Sequence, residues 1–250
     1  MAQQIAQIGL IVVVLSLPIA MWVFGVAMRR GRLPQLRSLS AFDALRGQLG
    51  RGIESGRPFH ISIGTGGLVG DEALTTLAGA SIIDSFSQEA ADAGVSPAVT
   101  VADGSALILA QDTLRRPHTR RGDIAGYDPL SVQLLGMQPG QYALAANEFL
   151  AHARPVSNAM IGSFGPEVAL IADAGTKQGL TQVAGSADVR ALAALQLSTD
   201  HLLMGEEIFA AGAYLDRRPE QVARLGAQDV ARFILVAVIL IAALLRTALG

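Results

Sequence analysis

From Ile8 to Met28 the chain reads IGLIVVVLSLPIAMWVFGVAM, twenty-one residues without one charged side chain. At about 1.5 Å of rise per residue such a helix covers roughly 30 Å, the hydrocarbon thickness of a bilayer. No other feature restricts the fold as strongly, because a segment in lipid must satisfy its own backbone amides and a helix does so within itself. A membrane span is expected rather than a cleaved leader: the preceding MAQQIAQ carries no positive charge, and no small-x-small cleavage site follows. Pro18, in mid-span, should kink the helix where its ring removes a hydrogen bond.

Arg29, Arg30, Arg32 and Arg37 follow directly, so the positive-inside bias places residue 29 onward in the cytoplasm and the N-terminus outside. A second apolar run, Phe233 to Leu245, is thirteen residues long, and Thr247 to Leu249 can extend it past Arg246. Arg217, Arg218, Arg224 and Arg232 precede it, consistent with a second span whose Arg246 snorkels to the far headgroups. An interfacial helix or a soluble core helix are the alternatives for this shorter run. The expected organisation is an N-terminal transmembrane helix (1–30), a membrane-proximal basic linker or helix (31–57), a cytoplasmic α/β domain (58–216) and a C-terminal helix with a transmembrane segment (217–250). Both termini would lie outside a bacterial cytoplasmic membrane.

Composition supports this arrangement, with 51% hydrophobic and 16% charged residues and a mean hydropathy of +0.42. With no cysteine there is no disulfide, thiolate metal site or cysteine nucleophile. A net charge of -2 argues against a general nucleic-acid binder. In the linker, Phe42, Leu45, Leu49 and Ile53 recur at helical spacing, with Ser40 as a cap. Its arginines suit either anionic headgroups or plain solvent.

From Pro58 onward short β runs alternate with helical stretches, the pattern of a mainly parallel, Rossmann-like α/β sheet with crossover helices, flanked here by the two transmembrane helices. Strands are expected at Phe59–Ile63, Ala98–Ala102, Val156–Ile161 and Thr181–Ala184. Helices are expected at Asp71–Ala93, from Asp103-Gly104-Ser105 to a point before Pro117, behind Pro166, from near Asp188, and at Gln141–Ala153 and Ser198–Leu215. Each strand is followed by glycine with serine, threonine or aspartate, and in open α/β sheets those carboxyl ends line the ligand crevice. Gly64, Gly66, Gly67, Asp103, Ser163 and Ser186 are therefore the candidate binding residues. Gly64, Gly66 and Gly70 form GxGxxxG, one residue longer than the dinucleotide fingerprint, and Asp71 and Glu72 put negative charge where a phosphate would sit. The alternative is that the glycines only permit tight turns.

No catalytic residue can be assigned and no cofactor is expected. Ser163 sits in GSFG rather than GxSxG. His60, His118, His152 and His201 form no HxxxH or HExxH pair, so no metal is expected; Asp200, His201, Glu206 and Glu207 on one helix suit an ion pair better than a metal. Residues 58–114 hold seven acids and no lysine or arginine, and RRPHTRRGD follows. Asp84, Glu89, Asp92, Arg115, Arg116, Arg120, Arg121, Glu206 and Glu207 are thus candidates for contact between copies, which closes into a ring or runs on as a filament. Ordinary solvated charge, or contact of the arginines with lipid phosphates, is the alternative.

Arg51 with Glu54, the run GRPFHISIGTGG, then VSNAMIGSFGPEVALIADAG, VAGSAD and LLMGEEIFAAGAYL resemble the prokaryotic membrane proteins grouped as domain of unknown function 6754, over roughly residues 40–235. The resemblance implies a membrane-bound protein in which the GTGG, GSFG and GEE segments belong to a common architecture, and it carries no catalytic residue. The expected function is structural: cytoplasmic domains that assemble laterally into a large homo-oligomeric ring, with membrane lipid and other copies as partners. A membrane-anchored sensor or enzyme using the crevice, and an accessory subunit of a larger membrane complex, are the alternatives.

Overall fold

A computed structural model describes residues 22, 26, 37–216, 221, 222, 225, 226, 228, 229, 232–239 and 243. The chain divides into two compact units, Ser38–Ala211 and a second comprising Met1–Arg37 and Gly212–Gly250.

In the Ser38–Ala211 unit six strands, β1 (His60–Gly64), β2 (Ala98–Val101), β3 (Val132–Leu134), β4 (Ser157–Ser163), β5 (Thr181–Ser186) and β6 (His201–Met204), form one sheet in the order β3-β2-β1-β4-β5-β6. Every neighbouring pair is parallel. The helices are α1 (Ser40–Ser55), α2 (Ala73–Asp92), α3 (Gly104–Arg121), α4 (Pro139–Ala153), α5 (Val168–Lys177) and α6 (Val189–Leu195). This is the doubly wound order, reversing between β1 and β4. All of β1 and all but the last residue of β4 are buried, as expected of parallel strands covered on both faces.

One face is covered by α2 and α3, which pack together, and the other by α4, α5 and α6 in succession. The first face is completed by α1, which lies against β4, β5 and β6. Its Phe42, Leu45 and Leu49 are 2%, 0% and 2% exposed, and the Gln48 side chain donates to the Thr181 carbonyl at 3.2 Å. The helix expected in this segment is present and forms part of the sheet's cover. Each buried leucine or phenylalanine contributes about 2 kcal/mol, which outweighs about 1 kcal/mol for each of Gly47, Gly50 and Gly52.

The four expected strands are present and two more join them. β3 is only three residues at the sheet edge, too short for periodicity to mark it. The helix expected over Ser198–Leu215 is replaced by β6, a 3-10 segment (Gly205–Ala210) and a π-helical turn (Gly212–Asp216). Gly205 at φ +56 turns the chain out of the strand, so Asp200 and His201 do not share a helix with Glu206 and Glu207. The helix expected to stop before Pro117 runs on to Arg121, ending at Gly122 in the left-handed conformation. Pro117 removes one hydrogen bond, while Arg120 and Arg121 in the last turn complement the negative helix terminus. Arg115, Arg116, Arg120 and Arg121 therefore all lie on the last turns of α3.

A buried polar track crosses the sheet on the α4 side. The Ser62 and Tyr142 hydroxyls meet at 2.5 Å, Tyr142 reaches Thr100 Oγ1 at 2.9 Å, and Thr100 Oγ1 lies 2.9 Å from His60 Nε2. His60 Nδ1 lies 2.7 Å from Asn158 Oδ1, and Asn158 Nδ2 donates to Gln182 Oε1 at 2.9 Å. Gln182 Nε2 then donates to the Ala172 and Ser198 carbonyls, both at 2.8 Å. A single direction of donation satisfies every member: His60 is neutral, donates from Nδ1 and accepts at Nε2. Unlike an isolated polar group, such a chain can be buried without a large desolvation cost.

In the second unit, Trp22, Val26, the described residues between 221 and 229, and 232–239 are helical. Ala213 and Val222 are buried together with Tyr214 and Leu225 packed on them. Most of the expected span Ile8–Met28 lies outside the described residues, as do 240–242 and 244–250 of the second run. Among the described residues no helix is long and apolar enough to cross a membrane.

Burial pushes the His60 imidazole from 6.5 down to about 4, against the opposing effect of its bond to Asn158. Between those values the unfolded chain binds a proton that the folded one refuses. Stability is therefore full above pH 6.5 and falls as pH drops toward 4, by on the order of 3 kcal/mol over the window. Guanidinium unfolding of the full chain in mild detergent should show this loss between pH 7.5 and 4.5, reduced in His60→Gln. An identical pH dependence in both proteins would mean that His60 is not held neutral.

Candidate functional site

The carboxyl ends of β1, β4 and β5 open onto a cleft of about 450 Å³, lined among others by Thr65, Asp71, Glu72, Ser163, Glu167, Ser186, Asp188 and Arg190. It lies where the strand order reverses, the usual ligand position in such sheets. Ser163, the last residue of β4, is half-buried, and Ser186, the last of β5, is 1% exposed with its oxygen accepting from the Asp188 amide at 3.1 Å. Of the six candidate binding residues, these two line the cleft.

The other four are engaged in packing and capping. Gly64 has φ +85, and a Cβ there would lie 1.9 Å from the Ser163 carbonyl oxygen. At Gly66 a Cβ would come within 2.5 Å of Thr76 Oγ1, and at Gly67 within 2.8 Å of the Asp103 carboxyl. Asp103 caps α3, accepting from the Ser105 and Ala106 amides at 2.8 and 3.2 Å and from the Ser105 hydroxyl. That hydroxyl, with the two amides, holds the Asp103 carboxyl below its usual range. Two amides of the glycine loop are spent internally, Thr65 N on the Ser163 carbonyl at 2.9 Å and Leu68 N on Ser105 Oγ at 2.9 Å. The loop closes β1 against β4 and α3 and does not present the row of free amides that cradles a phosphate.

The cleft's charge is also wrong for a nucleotide. Asp71, Glu72, Glu167 and Asp188 face one guanidinium, Arg190, and Arg190 is bound to Asp188 at 2.8 Å. This pairing holds the Asp188 carboxyl below its usual range. No histidine, lysine or cysteine lines the cleft, and among the described residues no group of three or more His, Cys, Asp or Glu could hold a metal. Ser163 thus has hydroxyl chemistry without a neighbouring imidazole to activate it. Carboxylates and hydroxyls together suit a cationic, hydroxyl-bearing ligand.

The charged contact candidates lie elsewhere. Asp84, Glu89 and Asp92 are on α2, and Arg115, Arg116, Arg120 and Arg121 on the adjacent α3. Arg121 binds Asp92 at 2.6 Å, and Arg115 and Arg116 bind Asp112 at 3.1 and 2.7 Å. Much of the expected complementarity is therefore closed within one chain. Glu207 accepts from the Met204 amide at 3.0 Å and, with Glu206, sits in the 3-10 segment after β6. The residues that sequence reasoning missed are His60, Thr100, Tyr142, Asn158 and Gln182 of the buried track. The one signal in the sequence was His60 and Ser62 at alternate positions of β1; Thr100, Asn158 and Gln182 are single positions on separate strands and Tyr142 is on α4.

Gly64 and Gly70 share nearly the same φ, +85 and +88, but a Cβ at Gly70 meets nothing within 4 Å. Gly70→Ala should cost about 1 to 2 kcal/mol, for conformation alone. Gly64→Ala should cost several times as much or prevent folding. Denaturant midpoints of the two variants check this, and equal values would mean that the loop is not closed on Ser163.

A family model described as Domain of unknown function (DUF6754) matches residues 2–249, more of the chain than the motifs alone cover. No curated protein and no solved structure matches the chain. With nearly its whole length matched, the chain belongs to the DUF6754 family.

Proposed function

We propose that this chain is a membrane-anchored scaffold whose α/β domains assemble laterally into a large ring-shaped homo-oligomer that organises or encloses lipid in the bacterial cytoplasmic membrane. The observation that carries the reading is that the sheet ends in two unlike edges, both with uncovered apolar side chains. Beside β3, Leu130, Leu134 and Met137 are 75%, 41% and 74% exposed; beside β6, Leu197 and Met204 are 92% and 54% exposed. Contact between the β6 edge of one copy and the β3 edge of the next is heterologous, the kind that closes into rings. Anchoring is supported by helix 232–239, whose Phe233, Leu235, Val236 and Ile239 are all exposed. A helix that is apolar around its circumference and not buried in protein suits lipid.

The contact is made by side chains rather than by continuing the sheet. Each strand is turned by about 20 to 25° from its neighbour, so over five steps β3 and β6 diverge by about 100 to 125°. A copy added by strand pairing would be tipped out of any shared membrane plane. Because surface ion pairs contribute about 1 kcal/mol at most, the Asp92–Arg121 pair adds little to either choice, and the apolar edges decide.

A second reading rests on the switch-point cleft: a sensor for a small cationic, hydroxyl-bearing ligand. Thermal-shift measurements with polyamines, amino sugars and nucleotides separate it from the first, since a scaffold alone shows no saturable shift.

Mass photometry of the full chain in mild detergent should give a particle of many copies, and Leu134→Asp or Leu197→Asp should break it into smaller species. A monomeric wild-type protein at all concentrations overturns the scaffold. Another chain copurifying in fixed ratio from native membrane replaces it with an accessory-subunit role.

A further inference from the structure

At the amino edge of the sheet, opposite the switch-point cleft, lies a second cleft of about 410 Å³ lined by Arg57, Ala151, Arg154, Pro155, Gln178 and Leu180. Three chain segments build it: the turn between α1 and β1, the end of α4 and the end of α5. Arg57 donates from its guanidinium to the Arg154 carbonyl, which holds its side chain across the cleft. Arg154 is the one non-glycine among the described residues with a positive φ, +44. As the C-cap of α4 it occupies the left-handed position that glycine adopts freely and an L side chain does not. Such an outlier is a pointer to function when its side chain has something to do.

Arg115, Arg116, Arg121, Arg190 and Lys177 each pair with a carboxylate of their own chain. Arg51, Arg57, Arg120 and Arg154 have no such pair among the described residues, and of these Arg57 and Arg154 line one cleft together with Gln178. Ala151, Pro155 and Leu180 supply its apolar surface. The Arg154 guanidinium and the Arg57 donors not spent on the Arg154 carbonyl, carried on planar groups with no carboxylate beside them, match the oxygens of a phosphate group.

We infer that the Arg57–Arg154–Gln178 cleft is an anion site that binds a phosphate group, presented either by a lipid headgroup or by a soluble phosphate. The site is separate from the glycine loop, whose amides are engaged, and from the acidic switch-point cleft. It does not depend on lateral assembly.

The test is thermal unfolding of the full chain in mild detergent at constant ionic strength. Chloride is exchanged for inorganic phosphate, or short-chain phosphatidic acid is added, with short-chain phosphatidylcholine as the acyl-chain control. A raised midpoint with both phosphate and phosphatidic acid supports a site that takes a free phosphate group. A rise with phosphatidic acid alone supports a headgroup site. In either case Arg57→Gln and Arg154→Gln should each weaken the half-saturating concentration by about tenfold or more. Arg154→Gly is the decisive variant: relieved of its backbone conformation, it should unfold at a higher temperature without phosphate yet lose the phosphate-dependent increment. No increment in wild type, or the same increment in all variants, overturns the proposal and leaves Arg57 as a cap on the α4 carbonyls.

Discussion

A parallel sheet has no face it can leave to water, and that requirement organises this structure. The chain's own crossovers cover one face over β1 to β3 and the other over β4 to β6. The far half of the first face still needs cover, and α1, reaching it from ahead of β1, provides it with Phe42, Leu45 and Leu49. What reads as a basic tether between membrane and domain is thus a structural layer of the domain. The opposite face receives α4, with Tyr142 bonded to Ser62 and Thr100 and Phe149 against His60 at a centroid distance of 5.5 Å.

The polar track beneath α4 gives this core a directionality that an aliphatic one lacks. Each hydroxyl, amide and ring nitrogen in it depends on the next, so a slip of β1 relative to β4 would leave several donors unsatisfied at once, each costing about 1 to 3 kcal/mol. Register is thereby fixed by hydrogen bonding as well as by the alternation of faces. The GTGG turn adds to this at the strand ends, where Gly64 and Gly67 bring β1 into contact with Ser163 and Asp103.

Much of the architecture was legible in the sequence because its four central strands are short β-forming runs closed by glycine and small polar residues, and the spacing between them fits crossover helices. β3 and β6 were not, since three or four residues at an edge carry no period and HLLM is as good a helix as a strand. Pro117 misled in the other direction: a proline near a helix end costs little when Gly122 and two arginines stabilise the terminus behind it. The crevice was legible as a place, through Ser163 and Ser186, but not in its chemistry. Only the folded chain brings Gly67 against Asp103, Gly66 against Thr76 and Ser163, and Asp71, Glu72, Glu167 and Asp188 into one space. The charge pattern suggested contact between copies; the Asp92–Arg121 pair shows that opposite charges distant in sequence can meet within one chain.

The position of α1 also sets the order in which the domain can be completed during synthesis. Of the elements of the Ser38–Ala211 unit this helix is made first, yet the strands it shields are the last three to be made, and its Gln48 bonds to a residue 133 positions later. Until β5 and β6 emerge, Phe42, Leu45 and Leu49 have no sheet to cover, so the nascent chain carries an uncommitted apolar helix for most of its translation. Closing that long loop is a late step, so the apolar face of α1 is covered only when the carboxyl-terminal strands have been made.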